Sequence, residues 1–251
     1  MTDRLGIQEL GGGDAILLLH GTPTSPNHLE ALARRLARHH RVLLAELPGY
    51  GRSPALVPWS LTALYVLIEE ELVARGDRHL SVVGFSGGAY HALALTARGV
   101  LCVAHVVALA GFADLTAEER TAMRASVAAL RAGVDFKPLL AGIMLSPSAQ
   151  AHDPAAMAEV SSWMDATSRE NLAAELEAMA AAPDLREGLR ETTASILARV
   201  GALDVACPVI RSERFVRARP GATLEVVTGV GHALLLEDFE ATAASIERAL
   251  A

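Results

Sequence analysis

Short continuous apolar runs recur along this chain, each followed by a turn-rich segment and then by a helical pattern. Ala15-Ile16-Leu17-Leu18-Leu19 has no polar alternation, as expected of a strand buried on both faces. It opens onto His20-Gly21-Thr22-Pro23-Thr24-Ser25, after which a helix is predicted from about Pro26 to Arg38. Ser25 is placed to cap that helix, and Pro26 suits its first turn. Arg41 to Ala45 predicts the next strand, ending in the turn-rich Glu46-Leu47-Pro48-Gly49-Tyr50-Gly51-Arg52-Ser53. Ser60 predicts the start of a helix reaching about Arg75. Leu80 to Val83 and His105 to Ala110 predict two further buried strands, separated by an Ala- and Leu-rich helical pattern through Ala97. Residues 1–14 have room for one edge strand before the Gly11-Gly12-Gly13-Asp14 turn. Strands and helices alternating at this spacing predict an α/β fold, a mostly parallel central sheet with flanking crossover helices.

The rhythm stops after Gly111. From about Phe112 to Thr193 only helical patterns appear, punctuated by Pro and Gly. Strands resume at Ile196–Leu203 and Thr223–Val227, and a last helix is predicted over Leu234–Leu250. The predicted organisation is a core of residues 1–111 and 194–251 with an all-helical cap, residues 112–193, inserted before the penultimate strand. Such an insertion is expected over the C-terminal ends of the strands, where open parallel sheets bind ligands.

One turn in this pattern carries chemistry. Gly84-Phe85-Ser86-Gly87-Gly88 joins a predicted strand directly to a predicted helix, so Ser86 sits on a very sharp turn. Such a turn strains its central residue and leaves no room for side chains two positions either side, which Gly84 and Gly88 satisfy. The Ser86 hydroxyl is pushed above the sheet edge, and the Gly87 N–H points into the same space at a helix start.

A serine hydroxyl needs a base to attack at neutral pH, and the base needs an acid to orient it. His232 is the candidate base, in the Gly229-Val230-Gly231-His232 loop between the last strand and the last helix. The other histidines have plainer readings: His39 and His40 end a helix, His28 and His79 read as surface residues, and His91 and His105 as core or near-core. Asp204, in a loop that follows Val200-Gly201-Ala202-Leu203, is the candidate acid, with Asp114 as its rival. The chain order Ser, Asp, His favours Asp204. Thr22, just after the first buried strand, can supply a second backbone donor facing that of Gly87. These two form the candidate oxyanion hole, with His20 as a support for the loop.

Composition narrows the partners. The 251 residues are 51% hydrophobic and 20% charged, enough for a large core, with a formal net charge of −7. No basic run extends beyond Arg34-Arg35, which argues against nucleic acid and against an anionic membrane surface as partners. Cys102 and Cys207 both lie in apolar surroundings and read as small core residues, with no disulfide or metal spacing. Met1-Thr2-Asp3-Arg4 lacks an apolar signal core and no run is long enough to span a bilayer, so a cytoplasmic location is expected. Five of six methionines fall in the predicted cap: Met123, Met144, Met157, Met164 and Met179. Met157, Val160 and Met164 share a helical face beside Trp163. They read either as filler packing or, with Phe85, as the adaptable apolar lining of a substrate pocket.

Taken together, His20-Gly21-Thr22-Pro23, Glu46 through Ser53, Gly84-Phe85-Ser86-Gly87-Gly88, Gly201-Ala202-Leu203-Asp204 and Gly229-Val230-Gly231-His232 resemble the α/β-hydrolase fold superfamily over nearly the full length. There are two departures: the usual first hairpin is shortened or absent, and Glu46 stands where an Asp is common. The resemblance implies a serine hydrolase needing no cofactor and no metal, acting on a small or medium apolar carboxylic ester, a lactone or a thioester. A serine nucleophile argues against haloalkane dehalogenase and epoxide hydrolase relatives. Perhydrolase or haloperoxidase-like chemistry, or a receptor-like role, stands as the alternative.

Overall fold

The apolar runs become a seven-stranded sheet in the order β1-β3-β2-β4-β5-β6-β7. The computed structural model describes residues 5–251; the Met1–Arg4 segment lies outside the described residues. The strands are β1 (Gly6–Gly11), β2 (Ala15–Leu19), β3 (Arg41–Glu46), β4 (His79–Phe85), β5 (Cys102–Leu109), β6 (Ser195–Gly201) and β7 (Thr223–Val227). Only β1 runs antiparallel, and it pairs with β3 rather than forming a hairpin with β2. The helices are α1 (Glu30–Leu36), α2 (Leu61–Arg75), α3 (Gly87–Arg98), α4 (Ala117–Arg131), α5 (Lys137–Met144) and α6 (Pro147–His152). They continue as α7 (Pro154–Trp163), α8 (Arg169–Ala180), α9 (Arg186–Glu191), α10 (Val209–Ala218), α11 (Leu234–Glu237) and α12 (Phe239–Leu250). No helix among the described residues is long and apolar enough to cross a membrane.

The period of two along each strand divides the core between the two faces. Leu17, Leu19, Leu43, Ala45, Leu80 and Val82 point to one face, where they meet Leu64, Ile68 and Leu72 of α2 and Leu93 of α3. Ile16, Leu18, Val42, Leu44, Val83 and Phe85 point to the other and meet Leu32 and Leu36 of α1 and Ile246 of α12. Both faces are covered, which is why these runs show no polar alternation.

Local chemistry fixes several joints. Ser60 Oγ accepts the Ala63 N–H at 3.1 Å and starts α2, while Thr116 and Glu119 form a capping box on α4. Glu46, the departure noted in the sequence, clamps the loop that follows it. Its carboxylate accepts the Arg52 backbone N–H and, at 2.9 Å, the Arg52 Nε–H. The Ser53 hydroxyl donates to the Glu46 carbonyl and accepts the Gly6 N–H at 2.7 Å, tying that loop to β1.

Three expectations are corrected. The helix foreseen from Pro26 opens as a 3-10 turn, Pro26–Leu29, and Ser25 precedes it without a side-chain cap bond. The last helix is broken at Asp238, which leaves helical geometry (φ −149°) and accepts a 2.7 Å bond from Arg199. Cys207 is buried, but Cys102 is exposed, because it begins β5 at the open end of the sheet.

Between β5 and β6 the described residues are helical or irregular. α5 to α8 sit on loops that leave the C-terminal ends of the strands. Thr167 donates to the Gly49 carbonyl at 2.7 Å and Asn171 to the Pro48 carbonyl at 3.1 Å, and Ala233 N–H donates to Met144 at 2.9 Å. α9 packs instead on α3 and α10, with Leu185 and Leu189 in the main core cluster. α9 thus lies in the layer that flanks the sheet.

Candidate active site

Ser86 lies between the last residue of β4 and the first of α3 with φ 55° and ψ −118°, a conformation non-glycine residues seldom adopt. Its surroundings hold it there. The Ser86 N–H donates to Leu109 O at 2.8 Å, and its carbonyl accepts the Ala89 N–H at 3.0 Å. A Cβ on Gly84 would run into the Gly88 backbone, and one on Gly88 would run into the carbonyls of Leu19 and His20. Neither glycine can be replaced without displacing main chain. Ser86 is 8% exposed at the floor of the site.

His232 stands in the loop after β7 and is 1% exposed. Its Nδ1 lies 2.7 Å from Asp204 Oδ2, and the other Asp204 oxygen accepts the Cys207 N–H at 2.7 Å. A carboxylate accepts, so Nδ1 carries the proton and Nε2 presents its lone pair. That Nε2 is buried and makes no hydrogen bond, the Ser86 hydroxyl included. Asp114 is elsewhere: it accepts Arg214 Nε–H at 3.1 Å, with Arg186 3.9 Å away. Of the two candidate acids, the fold brings Asp204 to His232.

Thr22 and Gly87 adjoin. A Cβ on Gly87 would lie 3.6 Å from the Thr22 backbone nitrogen and 2.9 Å from its hydroxyl. Gly21 packs tightly on Phe85 and Ser86, where a Cβ would sit 3.0 Å from both. His20 is buried beneath: its Nε2 accepts the Leu47 N–H at 3.1 Å, and Nδ1 lies 3.0 Å from the Gly21 carbonyl. Burial pushes its pKa down to about 4, so at neutral pH it is an uncharged brace.

Two residues at the site escaped the sequence reading. The first is Glu175 of α8, fully buried, whose carboxylate oxygens accept the hydroxyls of Thr22 and, at 2.7 Å, Tyr50. Burial pushes its carboxyl up to about 7, with the two hydroxyls pulling the other way. Leu172, Glu175 and Met179 share one helical face, and all three are buried. A lone carboxylate on an apolar helical face was the signal.

The elevated value makes a stability prediction. The unfolded carboxyl ionises from about 4.5 upward, while the folded one keeps its proton to about 7. The unfolded chain therefore binds fewer protons in that window, and stability falls as pH rises through it, then levels off. The penalty is on the order of 3 kcal/mol. Glu175→Gln should remove it, so denaturant melts at pH 5 and pH 8 should differ more for the parent than for the variant. Equal pH dependence in the two proteins would refute this.

The second is His28, which is not the surface residue its sequence suggests. The 3-10 turn aims it under the insertion, where it is 6% exposed and its Nδ1 lies 3.1 Å from Glu159 of α7. Its ring packs 4.8 Å from Phe85 and 4.8 Å from Trp163, and Phe85 lies 5.0 Å from the His232 ring. Of the residues foreseen for the pocket, Phe85 adjoins His232, and Trp163 lies 6.5 Å from Phe85 ring to ring. Met157 and Met164 pack against an apolar cluster in which Leu140, Val160 and Trp163 of the insertion meet Ala233, the neighbour of His232. Met164 also borders a cleft with Lys137 and Arg169.

A family model described as "Alpha/beta hydrolase family" matches residues 16–245. The pimeloyl-[acyl-carrier protein] methyl ester esterase of Vibrio vulnificus is 26% identical over 249 residues, covering 96% of this chain and 95% of that protein. A thermophilic esterase from Thermogutta terrifontis superposes with a TM-score of 0.87 at 23% identity, over 97% of this chain and 92% of the other. The enol-lactonase of Burkholderia xenovorans does so with 0.85 at 20% identity, over 98% and 96%. At these identities the structural likenesses speak for a common fold.

Proposed function

The chain belongs to the alpha/beta hydrolase family, and from that premise we propose that it is a serine hydrolase of small to medium carboxylic esters with a largely apolar body. The observation that carries this reading is the buried 2.7 Å bond between His232 and Asp204, with a free Nε2 on the same sheet edge as the strained Ser86. Ser86 Oγ attacks the ester carbonyl while His232 Nε2 takes its proton, and Asp204 holds the imidazole and stabilises its charged form. The N–H groups of Thr22 and Gly87 stabilise the oxyanion, the second aided by the start of α3. His232 returns the proton to the leaving alcohol, then activates a water that releases the acid from Ser86. Among the similar proteins, a methyl ester esterase and an enol-lactonase are named for carboxylic esters, in keeping with attack at such a carbonyl.

Phe85 and Trp163 wall the space beside His232 in this reading, with the methionines behind them. An apolar wall contributes at most about 1 kcal/mol per added methylene until it is filled. A fluorophosphonate should therefore label Ser86, and kcat/KM over a p-nitrophenyl ester series should climb with acyl length and then fall. Absence of both labelling and ester turnover would refute the proposal.

A further inference from the structure

Resting on the hydrolase reading, we infer that His28 Nε2 and Trp163 Nε1 form a hydrogen-bonding subsite for a second polar group of the substrate, a hydroxyl or a secondary amide near the scissile carbonyl.

Seven buried side-chain nitrogen or oxygen atoms lack a hydrogen-bond partner among the described residues, and three of them, His28 Nε2, Trp163 Nε1 and His232 Nε2, lie in one aromatic cluster. That cluster is assembled around Phe85, the neighbour of Ser86, with ring separations of 4.8 to 6.5 Å. Buried polar groups in folded proteins are nearly always paired, so each of the three calls for a partner. The proposed mechanism supplies one for His232, namely the Ser86 proton. It supplies none for His28 or Trp163. Trp163 is 2% exposed and the His28 side chain is fully covered, so bulk water does not serve them.

The two atoms differ in character. Indole Nε1–H can only donate. His28 has its Nδ1 against the Glu159 carboxylate, which accepts, so the ring proton stays on Nδ1 and Nε2 is left as an acceptor. Burial holds the imidazole below its ordinary pKa despite Glu159, so the ring is neutral at pH 7. One donor and one acceptor within a single aromatic cluster suit a group that both gives and receives a hydrogen bond. A hydroxyl does this with one atom and an amide with its N–H and carbonyl, whereas a bare alkyl chain leaves both nitrogens unpaired. Sites of this kind discriminate strongly against analogues lacking the polar group.

The test compares methyl hexanoate with methyl 3-hydroxyhexanoate, methyl N-propanoylglycinate and 2-hydroxyethyl pentanoate, which place the polar group on either side of the ester. At least one of the three should exceed the plain ester in kcat/KM by about tenfold or more. In Trp163→Phe and His28→Phe that ratio should fall towards one. As a readout independent of turnover, the preferred ester added to Ser86→Ala protein should shift the Trp163 indole proton in an NMR spectrum, and methyl hexanoate should not. The only other tryptophan, Trp59, is separated by its own Phe variant. If the parent hydrolyses all four esters alike, or the indole proton ignores the polar ligands, the subsite is refuted while the hydrolase reading stands. If no ester is turned over and Ser86 resists labelling, the hydrolase reading fails and the subsite with it.

Discussion

Ser86→Ala is expected to lower ester turnover by five to six orders of magnitude while leaving the fold in place. The change removes one oxygen from a residue whose backbone is held by the Leu109 carbonyl and the Ala89 N–H, neither of which involves the hydroxyl. No packing is lost, and alanine meets the same backbone strain as serine at φ 55°. The thermal midpoint should therefore move by no more than about 2 °C. The drop is large because the base and its acid have nothing to activate once the nucleophile is gone. Burst kinetics with a p-nitrophenyl ester, beside a melting curve, make the measurement. Turnover within tenfold of the parent would show that another group attacks the carbonyl.

Asp204→Asn should cost about four orders of magnitude in kcat, and the structure dictates why the loss is so severe. Asp204 Oδ1 accepts the Cys207 N–H, so an asparagine there keeps its oxygen on that donor and turns its NH2 towards His232. The imidazole must then accept at Nδ1, which moves its own proton to Nε2 and removes the lone pair that should take the serine proton. Asp114→Asn should change kcat only a few-fold, since Asp114 faces Arg214 and Arg186 and no histidine. Steady-state kinetics on the two variants decide the matter. A severe loss in Asp114→Asn with a mild one in Asp204→Asn would overturn the assignment of the acid.

Much of this was legible in the residues because it is local. A strand buried on both faces shows as an unbroken apolar run, as in Ala15–Leu19, and a sharp strand-to-helix turn shows in its flanking glycines. The order of serine, aspartate and histidine follows from the order of the strands that carry them. What could not be read is what the fold assembles from distant segments. His28 meets Glu159 across 131 residues and Thr22 meets Glu175 across 153. No periodicity around position 28 reports that a helix from the insertion will cover it. The pairing of β1 with β3 was hidden for a similar reason, since a short exposed strand carries no mark of which edge it will join. Cys102 and the break at Asp238 were misjudged because apolar neighbours and helical propensity do not reveal where a strand begins or which arginine claims a carboxylate.

The carboxyl of Glu175 bears on how such an enzyme can change its substrates over evolutionary time. Insertions over an α/β sheet look like exchangeable lids, free to be swapped for a new specificity while the catalytic floor stays constant. Here α8 reaches down and holds a hydroxyl of the loop that carries the Thr22 N–H, and it shares that carboxylate with Tyr50 from the loop after β3. Asn171, one turn earlier on the same helix, holds the Pro48 carbonyl of that second loop. A lid grafted from a relative without an acceptor at this point would leave two core hydroxyls unmet. Under the proposed function α8 is therefore tied to the oxyanion loop through Glu175, while the pocket residues Met157 and Trp163 lie on α7.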